Sequence, residues 1–410
     1  MRFPSTTAIA LFIGAGALLP GCGEPRASAP SRSTFYETRF EKRPSVAELT
    51  SVGRRLFFDA SLSASGRTTC ASCHDPAHAY GPPNALAVQR AGLDGKTPGF
   101  RAAPSLRYIQ KVPSFTEHFF EAEGNDSEDQ GPVGGHAWDG RARSLHEQAV
   151  LPLLSPLEMA NRDSTEVVAR VRTSTLAPAL RDAFGPHVLD DPDTAFRAIL
   201  LSLEVFQQDP AEFYPYSSKY DAFLRGQAKL AKDEMHGLAL FNDPAKGNCA
   251  SCHISAVREG EFPAFSDWGF IALGVPRNRA VADPKSQDLG LCGPLRTDLS
   301  GHAEYCGRFR TPTLRNVAKR AVFFHNGSFT SLEEVVRFYA ERDTDPARWY
   351  PRRADGSVDA FDDIPSAMRG NVNREPPFGG KPGSRPALDR SEIRDIVAFL
   401  RTLDDGYAVR

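Results

Sequence analysis

The chain has 410 residues, with 49 Lys+Arg against 51 Asp+Glu and 41% hydrophobic content. This near-neutral balance offers no basic face for a nucleic acid partner, and the length suffices for two domains, each with its own core. Counts of 33 Gly and 32 Pro point to long irregular connections between regular elements.

At the N-terminus Arg2 is the sole charge before the apolar run "TTAIALFIGAGALLP", so residues 1–22 read as a signal peptide. The ending "LLPGC" resembles a bacterial lipobox, which makes Cys22 the expected lipidated N-terminus. Plain secretion with cleavage nearby is the alternative. Residues 23–44, beginning "GEPRASAPSRS", are expected to be a polar, Pro/Ser-rich tether. No later segment is apolar for long enough to span a bilayer. The expected location is therefore the periplasm or cell envelope, with at most a lipid anchor to the membrane, in an oxidising compartment.

"SVAELTSVGRRLF" and "KDEMHGLALF" both show apolar residues at three and four spacings and are predicted helices. Each leads into "CASCH", at Cys70, Cys73 and His74 and again at Cys249, Cys252 and His253. Cys-x-x-Cys-His is the attachment pattern for c-type haem. Two thiols add to the vinyl groups, and the following imidazole swings under the iron. A zinc site built from the two CxxC pairs is the competing reading, but it leaves the histidine after each pair unexplained. Of the 7 cysteines, Cys292 and Cys306 remain, in the loop "LCGPLRTDLSGHAEYCG". In an exported chain a disulfide closing that loop is expected, with two free buried thiols as the alternative.

The chain also repeats itself. "GRRLFFD" and "GLALFND" precede the two CASCH motifs, "APSL" and "TPTL" follow in the same order, and then come "DGRARSLHEQAVLP" and "NGSFTSLEEVVRFY". The predicted fold is mainly α, with two cytochrome c-like domains, 45–215 and 216–410, each holding one covalent c-type haem among long irregular loops. "DRSEIRDIVAFLRTLDD" is the helix expected to close the second domain. In the last repeated pair, proline (Pro152) stands where the other copy has tyrosine (Tyr339). Tyrosine can ligate haem iron and proline cannot. Tyr339 is therefore expected to cap the second haem and Pro152 to leave the first open.

The CASCH motifs, "WDGRARSLHEQAVLPLLSPLEM" and "FRTPTLRNVAKRAVFFHNGSFTSLEEVV" resemble the bacterial di-haem cytochrome c peroxidase superfamily, which includes MauG. "FYAERDTDPARWYP", "FDDIP" and "LGLCGPLR" look most like its MbnH-like branch. The resemblance implies a hydrogen-peroxide-dependent oxidoreductase that oxidises a tryptophan on a small exported partner protein, through a high-valent state shared by both haems. It implies His74 and His253 as proximal ligands and Tyr339 as distal ligand of the second haem. Gln148, Pro152 and Glu158 match the distal pocket of the peroxide-reacting haem, and Trp138 matches a tryptophan between the haems. Glu158 would shuttle a proton within peroxide, Gln148 would bind peroxide or orient Glu158, and Trp138 would relay charge.

This sequence departs from that pattern in places. The superfamily's "RNAPSL" asparagine, which gives an oxygen to calcium, is Ala102 here, so calcium is in doubt. Carbonyls near Arg320 and Val322 could still ligate it, although Arg320 brings positive charge there. Only His78 and His118 could serve as a displaceable distal histidine, so no reductive activation is expected. Two other readings compete with the leading one. The first is a peroxidase drawing electrons from a small cytochrome or cupredoxin. The second is a non-enzymatic di-haem electron carrier using a ligand such as Met368.

Overall fold

The computed structural model describes residues 35–120, 128–258, 260–281 and 287–409. The leader, Cys22 and residues 23–34 of the tether lie outside the described residues. Residues 35 and 36, in the unit Met1–Arg39, are helical. Phe40–Arg410 form one compact unit.

The described residues of that unit contain helices α1 (Val46–Phe58), α2 (Leu145–Leu154), α3 (Ser164–Thr173), α4 (Ala177–Phe184), α5 (Pro192–Phe206), α6 (Pro210–Phe213), α7 (Lys219–Leu224), α8 (Lys232–Asn242), α9 (Leu332–Glu341), α10 (Pro346–Trp349) and α11 (Arg390–Arg401). Among the described residues, strands are confined to two antiparallel pairs of two residues each. Arg90–Ala91 (β1) pairs with Thr97–Pro98 (β2), and Phe270–Ile271 (β3) with Phe309–Arg310 (β4). The rest is turn and loop, as the glycine and proline content implied.

Capping explains where the helices begin. Ser45 and Glu48 form a reciprocal capping box at α1, as do Asp389 and Glu392 at α11. α1 buries Leu49, Val52, Leu56 and Phe57, the apolar stripe read from its sequence. Gly53 of the repeated Gly-x-x-Leu-Phe-x-Asp lies where α1 crosses α5. A Cβ there would stand 1.9 Å from the Ser202 carbonyl oxygen. Gly237, its counterpart in α8, meets α11 in the same way, with a Cβ 1.9 Å from the Asp395 carbonyl oxygen. Both glycines are kept because only a missing side chain lets the helix backbones approach so closely. The closing role of α11 was legible in the sequence, but α5 as its equivalent in the first half was not.

Around each crossing packs an aromatic core. Phe57, Tyr80, Phe206 and Phe213 meet edge-on or tilted in the first half. Tyr220, Phe241, Phe265 and Phe399 do so in the second. Arg315 joins the halves: it donates twice to Asp221 at 3.0 Å, both groups fully buried, and lies over Tyr108 and Tyr216. Cys292 and Cys306 are bonded as a disulfide. It closes the loop just before β4, next to the small core of Phe270, Leu291, Leu299 and Tyr305.

Candidate active site

Two cavities open inside this unit, with about 1370 and 1820 Å³ of empty space counted to their mouths. Cys70, Cys73, His74, Gln148, Pro152 and Glu158 line the first. Cys249, Cys252, His253 and Tyr339 line the second. The CxxC pairs thus stand in separate cavities and cannot converge on one tetrahedral ion, which removes the shared zinc site.

Each Cys-Ala-Ser run is a single 3-10 turn directly after its leading helix and loop. The turn points both thiols and the next histidine into the cavity. His74 Nδ1 donates to the Tyr80 carbonyl at 3.2 Å, and His253 Nδ1 to the Phe265 carbonyl at 2.8 Å. These bonds fix the tautomer that leaves Nε2 with a lone pair for a metal. Burial lowers the His74 pKa to about 4, against the pull of the Tyr80 and Pro104 carbonyls, and burial likewise lowers that of His253. Both rings are therefore neutral, as iron ligation requires. Pro104 and Pro312 of the repeated "APSL" and "TPTL" supply matching carbonyls to the two histidines.

The opposite walls are the helices α2 and α9. Ser144 caps α2 by accepting from the Glu147 amide, and Ser331 caps α9 by accepting from the Glu334 amide. Pro152 and Tyr339 each lie eight residues beyond that serine, at equivalent helical positions facing equivalent cavities. The Tyr339 ring packs against Phe378 and Phe324 at 5.3 and 6.3 Å, and its hydroxyl makes no hydrogen bond among the described residues. Burial pushes its phenol pKa up while Arg342 pulls it down. An iron opposite it would supply the positive charge that burial otherwise denies a phenolate.

On the open side, Glu158 has no ion pair and no side-chain hydrogen bond among the described residues. Burial raises its pKa above the usual carboxylate value, and the charge of Arg141 opposes that. Gln148 lines the same cavity with its amide unengaged among the described residues. Trp138 is buried and lines both cavities. Its indole N–H donates to the Ala102 carbonyl at 2.8 Å, and the Ala102 amide donates to the His325 carbonyl at 2.7 Å. Ala102 therefore serves through its backbone.

Other candidates fall away from the site. His78 and His118 face Asp75 and Asp129 and line neither cavity, and Met368 packs on the second core instead. Among the described residues no group of three or more His, Cys, Asp or Glu is arranged for a metal ion. The Val322 carbonyl that could have ligated calcium accepts from Arg320 Nε at 3.2 Å. Sequence reasoning missed Arg141 and Arg310, because single arginines in a loop or a two-residue strand carry no signal of their own.

A tetrapyrrole suits these cavities on several counts. Thiols and an imidazole face one side of each, and the walls are largely apolar. Two polar atoms in the walls, Arg310 Nη1 and His325 Nε2, are buried without a hydrogen bond. Together these features fit a protein that carries two c-type haems, one to each cavity.

Comparison with known proteins agrees. A family model described as di-haem cytochrome c peroxidase matches residues 47–229. The methylamine utilization protein MauG of Paracoccus denitrificans (strain Pd 1222) is 34% identical over 386 residues, covering 90% of this chain and 91% of that protein. The crystal structure of the diheme peroxidase BthA from Burkholderia thailandensis E264 aligns with a TM-score of 0.78 and 41% identity, over 88% of this chain and 87% of that one. A MauG-like protein associated with microbial copper homeostasis aligns with a TM-score of 0.61 and 26% identity, over 94% and 95% of the two chains. The chain belongs to the di-haem cytochrome c peroxidase and MauG family. It is a peroxide-dependent di-haem oxidoreductase with hydrogen peroxide as co-substrate.

Proposed function

We propose that this protein uses hydrogen peroxide to oxidise a tryptophan side chain on a small exported partner protein, working in the cell envelope. The observation that carries the reading is the unequal pair of cavities: Pro152 and Tyr339 occupy the same helical position, and Trp138 lies on the wall between. Residues 45–215 and 216–410 are the two haem-bearing domains. Cys70 with Cys73 and Cys249 with Cys252 hold the haems as thioethers, with His74 and His253 as proximal ligands. The haem supplies iron at which peroxide is reduced and oxidising equivalents are held.

The chain's own residues do the rest. Pro152 keeps a distal side clear for peroxide, and the Gln148 amide can hydrogen-bond it. The Glu158 carboxylate takes the proton from the inner peroxide oxygen and returns it to the outer one, which leaves as water. Tyr339 would ligate the second iron and, as an anionic ligand, would favour its oxidised form. Trp138, held by the Ala102 carbonyl, carries charge between the sites. A relative named for methylamine utilization, 34% identical over 90% of this chain, supports a role beyond peroxide removal.

The test is to mix the two-haem protein with hydrogen peroxide and any small exported protein encoded beside it. Mass spectrometry should show oxidation confined to a tryptophan of the partner. Rapid oxidation of a reduced small cytochrome, with the partner unchanged, would make it a peroxidase instead.

A further inference from the structure

The wall between the cavities carries more positive charge than its acids balance. Arg310 is buried, lines both cavities, and lies over the Trp268 ring at 5.3 Å. Its Nε donates to the Ala137 carbonyl at 3.2 Å, while Nη1 is buried with no partner. The carboxylate whose charge reaches it, Asp139, is already shared by Arg101 and Arg141, each at 2.7 Å. Arg320 lines the second cavity and donates only to the Ala103 and Val322 carbonyls, both at 3.2 Å. Neither Arg310 nor Arg320 has a carboxylate within ion-pair distance among the described residues.

Of the acids on the cavity walls, Glu158 pairs with neither arginine among the described residues, and the other two are engaged elsewhere. Asp288 is gripped by Arg101 through two bonds, and Asp363 faces His325 and Asn326. Burial alone pulls the Arg320 pKa down to about 10, still charged near neutrality, and its charge helps hold the His74 imidazole neutral. Arg320 therefore acts on both sites: it lines one cavity and its field reaches the proximal histidine of the other. Buried cations without anions are disfavoured unless a ligand brings the missing charge. A c-type haem brings two carboxylates, and guanidinium forks match carboxylates in shape and charge.

We propose that Arg310 and Arg320 are the carboxylate-binding residues of the two haem sites, pairing with haem propionates across the shared wall and raising the reduction potentials of both irons. The assignment rests on the reading that both cavities hold haem. A fixed cation disfavours the extra positive charge of the ferric state, so removing it stabilises ferric iron and lowers the potential.

The experiment is spectroelectrochemical titration of Arg310→Gln, Arg320→Gln and the corresponding Lys variants, with haem content measured by mass spectrometry on each. Arg320→Gln should shift the ferric-to-ferrous ratio of the second haem at least tenfold toward ferric, a fall of about 59 mV for a one-electron couple. Arg310→Gln should lower both potentials, and the Lys variants should recover most of the loss. Unchanged potentials in both Gln variants, or Lys variants that behave like Gln, would overturn the assignment. If a Gln variant fails to mature, infrared redox-difference spectra of the wild-type protein with ¹³C-labelled propionates decide. Carboxylate bands displaced from their solvated positions, and moved again in Arg320→Lys, are expected. Solvated bands in the wild type would refute the pairing. Fewer than two haems in the wild-type chain would instead count against the cofactor reading itself.

Discussion

Glu158→Gln isolates proton transfer from everything else at the open site. The substitution keeps size and shape, and it breaks nothing visible: the Glu158 side chain has no ion pair and no hydrogen bond among the described residues. Folding stability should therefore not fall, and at neutral pH it should rise slightly, because a neutral amide replaces a carboxylate that burial disfavours. What changes is the ability to take up and return a proton. General acid–base assistance contributes roughly 10²–10⁴-fold, and each tenfold is about 1.36 kcal/mol, so the barrier should rise by about 2.7–5.4 kcal/mol. Stopped-flow mixing with hydrogen peroxide measures it as the second-order rate of the first haem's spectral change. The pH dependence follows from the environment. Burial raises the Glu158 pKa, so the active carboxylate form is lost as pH falls through a value above 4.5, and the acid limb should lie there. Arg141 opposes this rise, so Arg141→Ala should move the acid limb to higher pH. A Glu158→Gln rate within threefold of wild type, with both haems present, would remove Glu158 from the reaction.

Tyr339→Met exchanges an anionic oxygen ligand for a neutral thioether. The second haem's potential should rise by on the order of 100 mV, within the ~0.8 V that axial ligands span, as read by redox titration. An unmoved potential would show that Tyr339 is not a ligand. Trp138→Phe keeps most of the packing but loses the indole and its bond to Ala102. Peroxide should still react at the first haem while the second haem's spectral response slows at least tenfold, and simultaneous changes at the wild-type rate would make Trp138 a packing residue. Gly237→Ala forces a methyl to within 1.9 Å of the Asp395 carbonyl oxygen. It should cost about 3 kcal/mol, the upper end for overpacking, seen as a lower denaturation midpoint. An unchanged midpoint would mean α8 and α11 can separate freely.

What the sequence determined by itself was chemistry with a local signature. CASCH occurs twice, and its attachment chemistry requires three residues at one spacing, so haem and histidine were legible without any fold. Apolar spacing set α1, α8 and α11, with caps at Ser45 and Asp389, through interactions within a few residues. The internal repeat went further, because two copies in one frame place Pro152 and Tyr339 at one helical position. Tertiary structure alone decided what depends on long-range approach. That α5 crosses α1 at Gly53, as α11 crosses α8 at Gly237, follows from backbones meeting far apart in sequence. That Trp138 and Arg310 stand on both cavities follows from a turn and a two-residue strand whose paths no periodicity encodes. Arg320 shows the difference most plainly: its sequence position marked only a stray charge near a doubtful calcium. Its meaning, a guanidinium bound to two carbonyls with no ion pair among the described residues, appears only when residues 103 and 322 are brought to its fork, because a buried charge is defined by what the fold leaves beside it.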